Sequence, residues 1–151
     1  DMSWINSMRN CLLIRHPRDV ICSYLKKYEI GDIKQLGYPQ QIELFDFVRR
    51  KTEDVPIIID ADDLLKNPKK MITKLCLNLD ISFENNMLSW APGSRITDGI
   101  WGKHWYKQVK SSTQFNTFKV NKNIIPIKYD YVYKECLELY NHLYSNRLIV
   151  E

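Results

Sequence analysis

Apolar positions along the chain alternate between runs of strand length and stripes of helical spacing. Asn10–Ile14 is a short apolar run bounded by polar residues, the pattern of a strand buried on both faces. Immediately after it, Pro17 suits the first position of a helix and Asp19 its first turn, where the helix dipole favours an acid. Val20, Ile21, Tyr24, Leu25 and Tyr28 then recur at i, i+1, i+4, i+5 and i+8, which gives one stripe facing the sheet. Pro39 opens a second helix that runs to about Thr52, with Ile42, Phe45 and Val48 inward and Arg49, Arg50 and Lys51 at its carboxyl end. A second strand, Ile57–Ile59, follows Pro56, and Asp60, Asp62 and Asp63 open a short helix behind it. Asn67 and Pro68 cap and start the next helix, whose inward stripe is Met71, Ile72, Leu75, Cys76 and Leu79. The last helix spans about Tyr129–Tyr144, with Tyr133, Cys136, Leu137, Tyr140, Leu143 and Tyr144 on one face.

Strand, helix and strand in this order predict right-handed parallel connections and an α/β fold, a three-layer parallel sheet with flanking helices. Residues 116–128 are polar, rich in Asn and Lys with Pro126 near the end, and are expected to form a linker. Residues 129–151 then carry an amphipathic helix that packs back on the domain formed by residues 1–115. There is no internal repeat or low-complexity tract.

At 151 residues and 44% apolar content, the chain is long enough for one core. No segment approaches the ~18 consecutive apolar residues that span a bilayer, and Arg9 and Arg15 flank the first apolar stretch too closely for a signal peptide. A net charge of +4, from 22 basic and 18 acidic residues, suits one polyanionic ligand better than nucleic acid. Cys11, Cys22, Cys76 and Cys136 show neither C-x-x-C nor zinc spacing, and read as buried free thiols in a reducing, cytoplasmic setting. The D-x-D-D group at Asp60, Asp62 and Asp63 would suit magnesium, but helix capping explains it more simply.

Arg15 at the carboxyl end of the first strand and Ser23 two turns into the following helix could converge on one phosphate, with arginine supplying a forked pair of donors. Spacing alone favours the plainer reading, a surface charge and a helix filler. The run Leu12–Tyr24, however, resembles the 3′-phosphate-binding strand and helix of sulfotransferases that use 3′-phosphoadenosine 5′-phosphosulfate. In that family an apolar strand leads to Arg, a variable residue and Pro, with Ser eight residues after the Arg; here these are Arg15, Pro17 and Ser23. Ile57–Pro68 resembles the family's later strand, acidic turn and Pro-opened helix. The run from Trp90 to Tyr106, with Ser112, Thr113 and Phe115, resembles its nucleotide loop, most closely in a subgroup joined in some proteins to a branched-chain aminotransferase-like domain.

The resemblance implies the P-loop nucleoside triphosphatase fold, sulfuryl transfer from 3′-phosphoadenosine 5′-phosphosulfate to a hydroxyl or amine of a small-molecule or conjugate acceptor, and adenosine-3′,5′-bisphosphate as product. It further implies that Arg15 and Ser23 hold the 3′-phosphate and that Arg95 and the Gly93–Gly99 backbone close over it, with Lys103 assisting. The chain departs from the family in one respect. Neither a G-x-x-x-x-G-K-[ST] loop nor an equivalent among its five glycines follows an apolar strand. The expectation is therefore a carboxyl-terminal portion of a longer protein, incomplete at its N-terminus, with the catalytic base unidentified. A non-catalytic nucleotide-binding or interaction module, fused to another catalytic domain, is the alternative. From Trp101 a helix is expected, with Trp101, Trp105 and Val109 on one face and Lys103, Lys107 and Lys110 on another; the aromatics could stack on adenine, although Trp105 fits a core position better. His104 is assigned no role.

Overall fold

The two expected strands pair in parallel as β1 (Cys11–Ile14) and β2 (Ile57–Asp60), in register from Cys11 opposite Ile57 to Ile14 opposite Asp60. The computed structural model describes residues 3–52, 55–100, 102 and 107–150. The expected helical start at Trp101, Lys103, His104 and Trp105 lies outside them. The helices are α1 (Pro17–Tyr24), α2 (Tyr38–Thr52), α3 (Ala61–Lys66), α4 (Pro68–Leu79), α5 (Lys107–Ser111) and α6 (Asp130–Tyr144). Short 3-10 turns precede β1, α2 and α6. No described helix is long and apolar enough to cross a membrane.

Local chemistry fixes most element boundaries. Pro17 starts α1, and the His16 imidazole caps it by accepting from the Arg18 N–H through Nδ1 at 3.3 Å. Before α2, Asp32 and Gln35 form a reciprocal capping box around a 3-10 turn that Gly37 ends at φ 81°. Asp60 caps α3 and Asn67 caps α4, each through a side-chain oxygen.

α6 supplies one wall of the core. Val132, Cys136, Tyr140 and Leu143 are buried against Ile14, Ile21, Tyr38, Phe45 and Ile58. Phe45 is wholly buried, a burial that contributes ~1.5–3 kcal/mol for a side chain of this size. The buried stripe of α6 centres on Val132 rather than on Tyr133, which is half-buried. The tail after α6 closes the sheet's far edge, where the Leu148 N–H donates to the Ile58 carbonyl at 2.7 Å.

Several expectations are corrected. β1 is not buried on both faces: Ile14 is fully enclosed, whereas Cys11 is exposed and Leu13 is 59% exposed. Side chains alternate along a strand, so a uniformly apolar sequence hides which face the helices cover. The α/β content and the parallel pairing are as expected, and among the described residues the sheet has two strands. α1 ends at Tyr24, leaving Tyr28 half exposed rather than on the inner stripe. Of the four cysteines, all unpaired, only Cys76 and Cys136 are buried. Residues 115–126 lack regular structure, although Ile125 packs on the core.

Candidate anion site at the carboxyl end of the strands

Parallel strands converge their carboxyl ends on one edge of the sheet, the place where ligands bind in open α/β folds. Here that edge carries Arg15, directly after β1, and Asp60, the last residue of β2. The first turn of α1 starts beside Arg15 and adds the positive end of a helix dipole.

Arg15 is held from two sides. Its carbonyl accepts a 2.7 Å hydrogen bond from the Tyr38 hydroxyl on α2. Its guanidinium lies 3.7 Å from the Asp19 carboxylate, one turn into α1. The Arg15 side chain is half exposed while that of Asp19 is 9% exposed, so the cation faces outward from a buried anchor. Burial raises the Tyr38 hydroxyl pKa, and that group stays a proton donor throughout the ordinary pH range.

Across the edge, buried Asp60 is fully engaged. One carboxylate oxygen accepts from the Asp62 and Asp63 N–H groups at 3.0 and 3.1 Å, the other from the Tyr140 hydroxyl at 2.9 Å. The His16 ring stands edge-on to Tyr140 at 5.4 Å, joining the α1 cap to this group. Asp62 is pushed above its usual pKa by burial and by the charges of Asp60 and Asp19. Asp63 is drawn in the opposite direction: burial raises it, but hydrogen bonds from Arg147 and Lys66 prevail and leave its pKa lowered. These acids therefore cap and tie the α3 turn. Among the described residues no group of His, Cys, Asp and Glu is placed to hold a metal.

The remaining residues named from the sequence fall in two places. Ser23 is exposed on α1, two turns from Arg15. Arg95 is exposed in a loop whose base is clasped. There Ser89 bridges Gln114, the Trp90 indole donates to Ser112 Oγ at 3.0 Å and meets Phe115 edge-on, and the Gly93 N–H donates to the Lys110 carbonyl. The described residues at the two ends of the third sequence block are thus held together. No hydrogen bond or ion pair among the described residues joins Arg95 to Arg15 or Ser23; the Arg95 N–H donates to Asp98 Oδ2 at 3.0 Å. Lys103 lies outside the described residues. Asp19 and Tyr38, which fix Arg15, were not singled out as site residues from sequence. The i,i+4 spacing of Arg15 and Asp19 was a usable signal, whereas the Tyr38 contact across 23 residues had none.

A cavity of about 620 Å³ opens at the opposite, amino end of the strands, lined by residues that include Arg9, Asn10, Lys51 and Asn78. Arg9 is engaged there by Asp80 at 2.8 Å. The chemistry at the carboxyl end, with an anchored cation beside a helix N-terminus, is better suited to an anion.

The sulfotransferase domain family matches residues 1–146. Branched-chain-amino-acid aminotransferase-like protein 2 of Arabidopsis thaliana is 31% identical over 136 residues, 89% of this chain and 24% of its own length. Branched-chain-amino-acid aminotransferase-like protein 1 of the same plant is 32% identical over 139 residues, 91% of this chain and 24% of its own. The chain thus spans about a quarter of the length of these relatives. No solved structure matches it significantly.

Proposed function

Because the chain belongs to the sulfotransferase domain family, we propose that it forms the half of a sulfuryl-transfer site that grips the nucleotide of 3′-phosphoadenosine 5′-phosphosulfate. The single observation that carries this reading is the half-exposed Arg15 guanidinium, anchored beside the first turn of α1 at the carboxyl edge of the sheet. Such a group fits a phosphate: guanidinium offers forked donors, and backbone N–H groups of a helix start add to them. Arg15 and Ser23 hold the 3′-phosphate in this reading, and Arg95 on its clasped loop closes over it.

The donor supplies the sulfuryl group when bound, and this chain's residues fix the adenosine end so that the reacting end is aligned for in-line transfer to a hydroxyl or amine of the acceptor. Positioning is the contribution asked of Arg15, Ser23 and Arg95. The four unpaired thiols suit a reducing compartment, in keeping with a cytoplasmic enzyme.

A second reading, a nucleotide-binding module without turnover, is favoured by the aminotransferase-like names of relatives of which this chain covers only a quarter. Assaying the intact protein for sulfuryl transfer from the donor separates the two. For binding, Arg15→Ala in the intact protein should weaken adenosine-3′,5′-bisphosphate by ~1.5–3 kcal/mol in calorimetry, the range for a hydrogen bond to a charged group. Unchanged affinity would remove Arg15 from the site.

A further inference from the structure

Asp19 and Asp60 are the buried acids among the described residues. Asp60 is accounted for by the α3 cap and Tyr140. Asp19 is not used by the reading above, yet it sits 7% exposed in the first turn of α1. An acid there stabilises a helix through the dipole without being buried, and burying a carboxylate is unfavourable unless a partner compensates. The partner is Arg15, 3.7 Å away.

We propose that Asp19 is a positioning residue for 3′-phosphate recognition, holding the Arg15 guanidinium in the direction from which it meets the anion; this rests on the function proposed above. Tyr38 completes the device by fixing the Arg15 carbonyl at 2.7 Å. A free arginine side chain samples many rotamers and loses that freedom on binding a phosphate, whereas a tethered one has lost much of it beforehand. Asp19 also has an opposing effect, since a carboxylate near the site repels the incoming anion. Positioning and repulsion predict opposite signs for its removal.

The test is a double-mutant cycle in the intact protein, with Asp19→Asn, Arg15→Ala and the double variant titrated calorimetrically with adenosine-3′,5′-bisphosphate and with adenosine-5′-phosphate. Asp19→Asn should weaken the bisphosphate about tenfold, leave the 5′-monophosphate unchanged, and cost nothing further once Arg15 is alanine. The 5′-monophosphate titration also reports whether each variant is folded. Should Asp19→Asn fail to fold, Tyr38→Phe, which keeps the ring and frees the Arg15 carbonyl, should show the same loss confined to the bisphosphate. Equal losses for both nucleotides, losses that add across the cycle, or tighter binding of the bisphosphate would overturn the inference. If Arg15→Ala itself keeps the preference for the 3′-phosphate, the proposed function falls and this inference with it. If Arg15→Ala loses the preference while Asp19→Asn keeps it, only the inference falls.

Discussion

The Tyr140 hydroxyl donates to Asp60 Oδ2 at 2.9 Å, linking the last helix to the end of β2 across 80 residues of sequence. Both groups are buried, and the other Asp60 oxygen is committed to capping α3. Tyr140→Phe keeps the ring and leaves that carboxylate oxygen short of a donor. A loss of ~1–3 kcal/mol in urea unfolding is expected, with an unchanged denaturant slope. A variant as stable as the parent would mean that water replaces the hydroxyl without cost.

The ion pair below it makes stability depend on acid. Asp63 accepts from Arg147 Nε at 2.8 Å and from Lys66 Nζ at 2.9 Å. Burial alone would raise its pKa, but these hydrogen bonds outweigh burial and leave it below the usual 3.8. An acid whose folded pKa is depressed contributes stability that is present above its unfolded value and lost as pH falls through the folded one. Arg147→Ala should therefore destabilise the chain near neutrality and flatten the decline in melting temperature below about pH 4. Parallel melting curves for parent and variant through that range would show that the pair contributes no acid dependence.

How far the sequence speaks depends on the range of the interaction. Asp60 and Asn67 accept from N–H groups within three residues, and Pro17 and Pro68 preset the first helical φ, so the helix starts at α1, α3 and α4 were readable from local sequence. Arg15 was legible as a candidate cation because a strand end and a helix start leave it at the ligand edge. What makes it a fixed cation was not. Tyr38 comes from a different helix, and Asp19 read as a dipole acid when it is also an ion-pair partner. The exposure of Cys11 and Leu13 was hidden by the unbroken apolar run of β1. The clasp between Trp90 and Ser112 likewise spans 22 residues and had no signal in the sequence.

Gly37 offers a test of the turn that delivers α2, and with it Tyr38, to Arg15. It adopts φ 81°, and a Cβ placed there meets nothing within 4 Å. Any penalty for Gly37→Ala is thus a backbone penalty of ~1–2 kcal/mol, and Gly37→Asn should lose less because asparagine tolerates this region. Equal losses for alanine and asparagine in chemical denaturation would contradict a purely conformational cost.

Thiol chemistry reads out the packing of α6 on the sheet. Cys11 is exposed on β1, Cys22 is half-buried on α1, and Cys76 and Cys136 are buried. The thiolate is the reactive form, and burial pushes Cys136 up to about 11, so it is both shielded and protonated at pH 8. Neighbouring atoms desolvate the Cys11 sulfur enough to raise its pKa as well, despite its exposure. Labelling with an aromatic disulfide should therefore modify Cys11 first, at a rate that climbs with pH, followed by Cys22. Cys76 and Cys136 should react only when urea opens the core. Because Cys136 shares its buried cluster with Tyr140 and Ile14, Tyr140→Phe should bring Cys136 labelling to lower urea by the amount of stability it loses. Native-state labelling of Cys136 as fast as that of Cys11 would mean that α6 opens independently of the sheet, and that the Asp60–Tyr140 bond does not hold it there.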